Sequence, residues 1–148
     1  MQNLEEANKI IHKAFESHSK GNILEAVNYY EYFIRKGFKD CRVFSNYGVI
    51  LRSLGKLKEA EILYRKAIEL NPNFADGHSN LGIILKDLGK LKEAEISTRK
   101  AIELNPDFAN AHSNLGIILK DLGKLKEAEI STRKAIELNP DFANAHSN

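Results

Sequence analysis

The stretch from His78 to Asn114 reads HSNLGIILKDLGKLKEAEISTRKAIELNPDFANAHSN, and the identical string returns from His112 to Asn148, thirty-four residues later. A fixed period of this size constrains the fold more than any single residue does. It marks an array of supersecondary units, each too small to bury its own apolar face and each stacked on its neighbours. Setting position 1 of the unit at Ala7, Cys41, Ala75 and Ala109 brings four units into register. They span 7–40, 41–74, 75–108 and 109–142, with a fifth begun at 143–148. One repeat domain over 1–148 is the expectation.

Within a unit the apolar residues recur twice at helical spacing. In unit 3 the first run is Leu81, Ile84, Leu85 and Leu88, the second Leu91, Ala94, Ala101, Ile102 and Leu104, with Gly89 between them. Each unit is therefore expected to be a helix, a tight turn and a second helix. The second helix ends at an Asn-Pro pair (Asn71-Pro72, Asn105-Pro106, Asn139-Pro140), because proline cannot continue the hydrogen-bond ladder and biases its predecessor away from the helical region. Asn73, Asp107 and Asp141 are then placed to cap the next helix. At the chain start, Asn3 with Glu6 and Asn22 with Glu25 have capping-box spacing.

Small residues recur at fixed positions: Gly48, Gly82 and Gly116 at position 8, Ala60, Ala94 and Ala128 at 20, and Ala67, Ala101 and Ala135 at 27. Pro72, Pro106 and Pro140 fall at 32. This pattern resembles the tetratricopeptide repeat over nearly the whole chain. The resemblance implies an all-α, right-handed α-solenoid of antiparallel helix-turn-helix units, and short side chains at 8, 20 and 27 allow the two helices to cross closely. Unit 1 departs, with Lys13 at position 7, Phe33 at 27 and Phe38 at 32, and keeps only Ala14, Ala26 and Tyr30. It reads as a diverged end unit. At position 24, where the family places a large aromatic, unit 2 has Tyr64 but units 3 and 4 have Thr98 and Thr132. Looser packing of their second helices is the expectation.

On the first helix, positions 4, 8 and 11 with 3, 7, 10 and 14 carry most of the apolar content, whereas 2, 6, 9 and 13 fall on the opposite side. The latter read Arg42, Asn46, Val49, Ser53 in unit 2, Asp76, Asn80, Ile83, Asp87 in unit 3, and Asn110, Asn114, Ile117, Asp121 in unit 4. The resemblance implies that this face lines a concave groove, with a ladder of Asn46, Asn80 and Asn114 that Asn148 would extend. A carboxamide offers two donors and an acceptor, so it can pair with both the N–H and the C=O of an extended peptide and read backbone rather than sequence. Val49, Ile83 and Ile117 would add apolar contact, and Asp87 and Asp121 would favour polar or basic ligand side chains. A solvated polar position is the plainer role for the asparagines, and it stays open here. The stretch from Phe74 to Gly89 is similar to the repeats of the O-linked N-acetylglucosamine transferases, whose groove asparagines hold substrates by their backbone. The carboxylate clamp that some members of the family use for chaperone tails is not matched. Its places hold Ile11, Phe15, Asn46, Asp76 and Asn80, one match in five.

Other chemistry fails on spacing. His78, His112 and His146 share position 4, but helices pack about 8–10 Å apart and zinc–nitrogen bonds are about 2 Å, so the three are poorly placed to share a metal; packing at the core edge suits them better. His12 and His18 face different ways on one helix. Cys41 lies near a helix start without an assignable base, and a small structural role fits. No phosphate-binding glycine string occurs, and the Ser-Thr-Arg-Lys runs at 97–100 and 131–134 read as exposed helical faces. No nucleophile, acid–base pair, cofactor or metal motif emerges, so an enzyme is not expected.

The 22 basic and 20 acidic residues are interspersed, leaving no basic stripe for nucleic acid. No apolar run approaches bilayer length, MQNLEEANKI lacks the features of a secretory signal, and Cys41 has no disulfide partner, which together suggest a cytoplasmic setting. Ending six residues into a helix would leave the apolar surface of unit 4 uncovered. That suits a piece of a longer array, an engineered repeat, or a chain that associates through this end. The expectation is a scaffold for a protein or peptide partner, with a self-assembling structural module as the alternative.

Overall fold

The structure, a computed structural model, describes residues 2–143, with side chains from Asn3 onward. Among these residues there are eight helices and no strand: α1 (Gln2–Ser19), α2 (Ile23–Arg35), α3 (Cys41–Ser53), α4 (Leu57–Leu70), α5 (Ala75–Asp87), α6 (Leu91–Leu104), α7 (Ala109–Asp121) and α8 (Leu125–Leu138). The chain forms two compact units, Met1–Pro72 and Asn73–Asn148. Each holds two antiparallel helix pairs, α1/α2 with α3/α4 and α5/α6 with α7/α8, the stacked hairpins of an all-α solenoid.

Glycine makes the turns inside the pairs. Gly55, Gly89 and Gly123 have φ near +80°, a conformation that side chains with a Cβ resist. The Gly89 N–H donates to the Lys86 carbonyl at 2.9 Å and the Lys90 N–H to that of Leu85 at 2.8 Å. These are the two bonds of a Schellman closure, and they use carbonyls that the end of α5 would otherwise leave unpaired. Only Leu88 to Lys90 separate α5 from α6.

The expected caps are placed differently. Asn3 lies inside α1, which begins at Gln2, and so caps nothing. Asn22 is the N-cap residue of α2, but its side chain makes no cap bond. Its N–H already donates to the Ser17 carbonyl at 2.9 Å, closing α1, so the donor that a reciprocal Glu25 would take is spent. Asn73 and Asp107 are not the N-cap residues, because α5 and α7 start after Phe74 and Phe108, which lack a capping side chain, and the helix that Asp141 would cap runs outside the described residues. Instead the residue before Pro106 and the residue before Pro140 fold back. The Asn105 Oδ1 accepts from the Asp107 N–H at 3.3 Å and the Asn139 Oδ1 from the Asp141 N–H at 3.1 Å, an Asx turn. A side-chain cap not expected from sequence is Asp40, whose Oδ1 accepts from the Arg42 N–H at 2.9 Å at the start of α3.

In the first unit, Ala7, Ile10, Ala14, Ala26, Tyr30, Phe33, Val43 and Ile50 form a continuous core. Phe33, standing where other repeats have alanine, is buried and meets Phe38, standing where they have proline, at a ring separation of 5.4 Å. The divergence of this repeat is thus a compensated exchange of a small pair for an aromatic one. Its outer surface is also more polar. A furrow of about 510 Å³ there is lined by Glu6, Lys9, Lys13, Tyr29, Tyr32 and Arg35 among others, and Lys13 is exposed where the equivalent Leu115 is buried.

The second unit corrects the expectation of loose packing. Thr98 is fully buried and its hydroxyl donates to the Ala94 carbonyl at 2.8 Å. Gly82 lies directly against it, so close that a Cβ there would collide with the Thr98 Oγ1. A short side chain at position 24 brings helix backbones together rather than leaving a gap. Thr98 and Ser131 are buried, so the Ser-Thr-Arg-Lys runs are not the freely exposed faces that their charge suggests.

Candidate functional site

Positions 2, 6, 9 and 13 lie within about 60° of arc on an α-helix at 100° per residue, and the structure leaves this face of the first helices open. In the first unit α3 carries Asn46, half-buried, and Val49, 41% exposed. In the second, α5 carries Asn80, Ile83 and Asp87, and α7 carries Asn114, Ile117 and Asp121. Both asparagines and Ile83 are half-buried, Ile117 is 38% exposed, and both aspartates are exposed. The two helices touch, so their residues form one surface within that unit. Exposed aliphatic carbons beside carboxamides and carboxylates suit an extended chain better than a small polar molecule. His146 and Asn148, the continuation of the histidine and asparagine series, lie outside the described residues.

In the first unit this face has features that position counting did not single out. The Arg42 guanidinium lies 5.4 Å from the centre of the Phe15 ring, a cation–π arrangement, while it also pairs with Asp40 at 2.8 Å. Asn46 stands near the hydroxyl of buried Tyr30, which meets the Nδ1 of His18 at 2.8 Å. Burial pushes the Tyr30 hydroxyl up to about 12, against the opposing effect of Asn46, and burial lowers His18 from its ordinary value. A neutral imidazole accepts at Nδ1 while Tyr30 donates. The signal for this cluster was in the sequence as His18, Tyr30 and Asn46, but only folding brings residues so far apart in the chain together.

The other tempting groups settle into structural roles. The half-buried His112 meets the Pro106 carbonyl at 2.8 Å through Nε2, tying α7 to the preceding turn. Cys41 begins α3 with its sulfur 4.0 Å from the Asn71 amide nitrogen. Among the described residues no cluster of His, Cys, Asp or Glu is arranged to hold a metal ion, and no helix is long and apolar enough to cross a membrane. A different surface also recurs. Furrows of about 500 and 420 Å³ run beside exposed Ile62 on α4 and Ile130 on α8. Several of their charged neighbours are already paired, Arg65 with Glu61 and Arg99 with Glu95 and Glu127.

Family models match this chain over 48–89 as a TPR repeat, and over 75–108 and 109–142 as a tetratricopeptide repeat. The chain belongs to the tetratricopeptide repeat family. A search of curated protein sequences gave no significant match. Among solved structures it is similar to YrrB, described as a TPR protein with an unusual peptide-binding site, at 27% identity and a TM-score of 0.78 over 91% of this chain and 70% of that one. It is similar to an O-GlcNAc transferase from Thermobaculum terrenum at 25% identity and a TM-score of 0.75, over 80% of this chain and 23% of the transferase. The first TPR domain of Spaghetti (RPAP3), solved with the HSP90 peptide SRMEEVD, matches at 28% identity and a TM-score of 0.66, over 68% of this chain and 79% of that one.

Two of the places that a carboxylate clamp would need are filled by core chemistry in this TPR protein. Ile11 is 8% exposed and Phe15 sits beneath the Arg42 guanidinium.

Proposed function

We propose that this TPR protein is a non-enzymatic scaffold that holds an extended segment of a partner protein against the open face of its first helices. Asn46, Asn80 and Asn114 would pair with ligand backbone, Val49, Ile83 and Ile117 would contact aliphatic side chains, and Asp87 and Asp121 would select polar or basic ones. The observation that carries this reading is the exposure of Val49 and Ile117, which helix pairing leaves open to water beside half-buried carboxamides. Similarity to two structures described by their peptide sites supports the same class. Replacing all three asparagines by alanine and screening an array of extended peptides tests it. Binding weakened on every selected peptide is the expected result, and unchanged binding removes the ladder from the mechanism.

A second reading rests on a different face. Leu125 on α8 is 66% exposed, whereas its counterparts Leu57 and Leu91 are partly buried, and Thr132 is partly exposed where Thr98 is fully buried. In this reading the outer face of α8 pairs with a second copy of the chain. Light scattering over a concentration series should then show association that Leu125→Lys reduces, and a monomer at every concentration would refute it.

A further inference from the structure

The crease between the two helices of a repeat is lined differently in the first repeat from the others. In the second unit, Ile102 of α6 packs against Leu115 and Leu119 of α7 and Ala128 of α8. The same positions of the first repeat hold Lys13, Ser17 and Ala26, so two leucines of that seat have become polar. Position 3 changes likewise, from buried Val43, Gly77 and Ala111 to exposed Lys9. Position 29 reverses its charge, from Glu69, Glu103 and Glu137 to Arg35. Glu69 and Glu103 pair with the lysine at position 26, Lys66 at 3.8 Å and Lys100 at 3.6 Å, whereas the first repeat has Tyr32 in the place of that lysine.

These exchanges line the furrow of about 510 Å³ between α1 and α2, where buried Ile10 supplies an apolar floor beside Tyr29 and Tyr32. Lys9, Lys13 and Arg35 are exposed along it, and none has an ion-pair or hydrogen-bond partner among the described residues. The one acid of the lining, Glu6, is already engaged, with Lys36 at 3.8 Å and with the Tyr32 hydroxyl at 3.3 Å. Keeping an end repeat soluble requires polar residues of either sign. Three unpartnered charges of one sign around one furrow favour a ligand of the opposite sign. We propose that this furrow docks an acidic helix of a partner protein, seated as α6 is on α7 and α8, with carboxylates meeting the cations and one aliphatic side chain reaching Ile10. Lys9 and Lys13 are four residues apart, about 6 Å along the axis, so two glutamates four apart on the incoming helix match them. Arg35, across the furrow on α2, takes a third acid, and the Tyr29 hydroxyl can donate to a carboxylate. A flat anionic bilayer would leave the floor at Ile10 unfilled. The furrow uses positions 3 and 7 of α1, not 2, 6, 9 and 13, and so is separate from the open face of the first helices.

Fluorescence anisotropy with labelled, alanine-based peptides of about eighteen residues, long enough to hold a helix, tests the proposal. Each peptide carries one leucine and two glutamates four residues apart, moved together along the sequence, and each has a twin with glutamine for glutamate. Glutamate peptides should bind about tenfold tighter than their twins, as the summed worth of two or three exposed ion pairs predicts, and the difference should shrink in concentrated salt. Lys13→Leu with Arg35→Glu, which restores the residues of the third and fourth repeats at two exposed positions, should erase the preference. If that pair does not fold, Lys9→Gln with Lys13→Gln reads the same loss. Alanine at Asn46, Asn80 and Asn114 should leave it unchanged. Equal affinity for glutamate and glutamine peptides, no binding by any peptide, or loss of binding in the asparagine variant would overturn the proposal. So would binding to phosphatidylserine-containing vesicles in place of the peptides.

Discussion

At the scale of single residues, this protein is governed by what glycine permits. Gly82 is buried in α5 with the Thr98 Oγ1 against it and the Ala94 carbonyl oxygen 3.3 Å from where a Cβ would stand. The hydroxyl is held by its own hydrogen bond, and a helix carbonyl cannot step aside. Gly82→Ala gains about 1 kcal/mol of helix propensity, but overpacking of a filled site costs about 1–3 kcal/mol. Net destabilisation is expected, read as a lower urea midpoint with an unchanged slope. Adding Thr98→Ala should return much of it, since the clashing oxygen is gone, and non-additivity in that cycle is the diagnostic. The glycines at position 8 of the unit were legible in the sequence as close contacts. Which partner they meet was not, because threonine at position 24 looks like a loss of packing until the backbones are seen to have closed on it.

At the scale of helices, charge and protonation join elements that apolar contacts leave apart. Glu95 on α6 pairs with Arg99 at 2.8 Å and with Lys124, just before α8, at 3.2 Å, while Arg99 reaches Glu127 on α8 at 3.3 Å. Arg99 and Lys124 hold the Glu95 carboxyl below its ordinary range, the hydrogen bond from Arg99 first among the causes. The pairs are partly solvated, so Lys124→Ala is expected to lower stability by about 0.2–1 kcal/mol, an effect that should shrink in concentrated salt. The folded-state value of Glu95 is depressed, so its contribution is present above the ordinary carboxylate value and fades as pH falls through that value towards the folded one. His18 acts at higher pH. Burial lowers it from 6.5, so the unfolded chain takes up a proton there more readily, and stability should decline as pH drops below about 6.5. Urea titrations at pH 5 and 7 should show this, and His18→Gln should flatten the difference. The helices and their turns could be read from the period, the glycines and the Asn-Pro pairs. The caps could not, because Asn22 serves two helices at once and its N–H was claimed by the first.

At the scale of the whole chain, repetition supplies an internal control. The helices α6 and α8 have the same fourteen residues, LKEAEISTRKAIEL, yet Ala94 and Thr98 are fully buried on α6, while on α8 Ala128 is 7% exposed and Thr132 partly exposed. Propensity cannot distinguish them, so a difference in amide exchange must come from their neighbours. Slower exchange in α6 than in α8 is expected, and equal protection would mean that stacking adds little. The candidate face was legible only as a pattern, since copied units copy their asparagines whatever surrounds them. Copying also poses a problem for the folding chain. The face of α5 that receives α6 would receive α8 equally well, so side-chain complementarity does not choose between the hairpin and the longer-range mispairing. Chain connectivity does. Closing the three residues between α5 and α6 rather than the thirty-seven between α5 and α8 favours the native partner by about 2 kcal/mol from loop entropy alone. The left-handed glycine that keeps this linker short therefore selects the correct partner as well as turning the chain, and lengthening the linker should let mispaired, slowly sorting states accumulate during refolding.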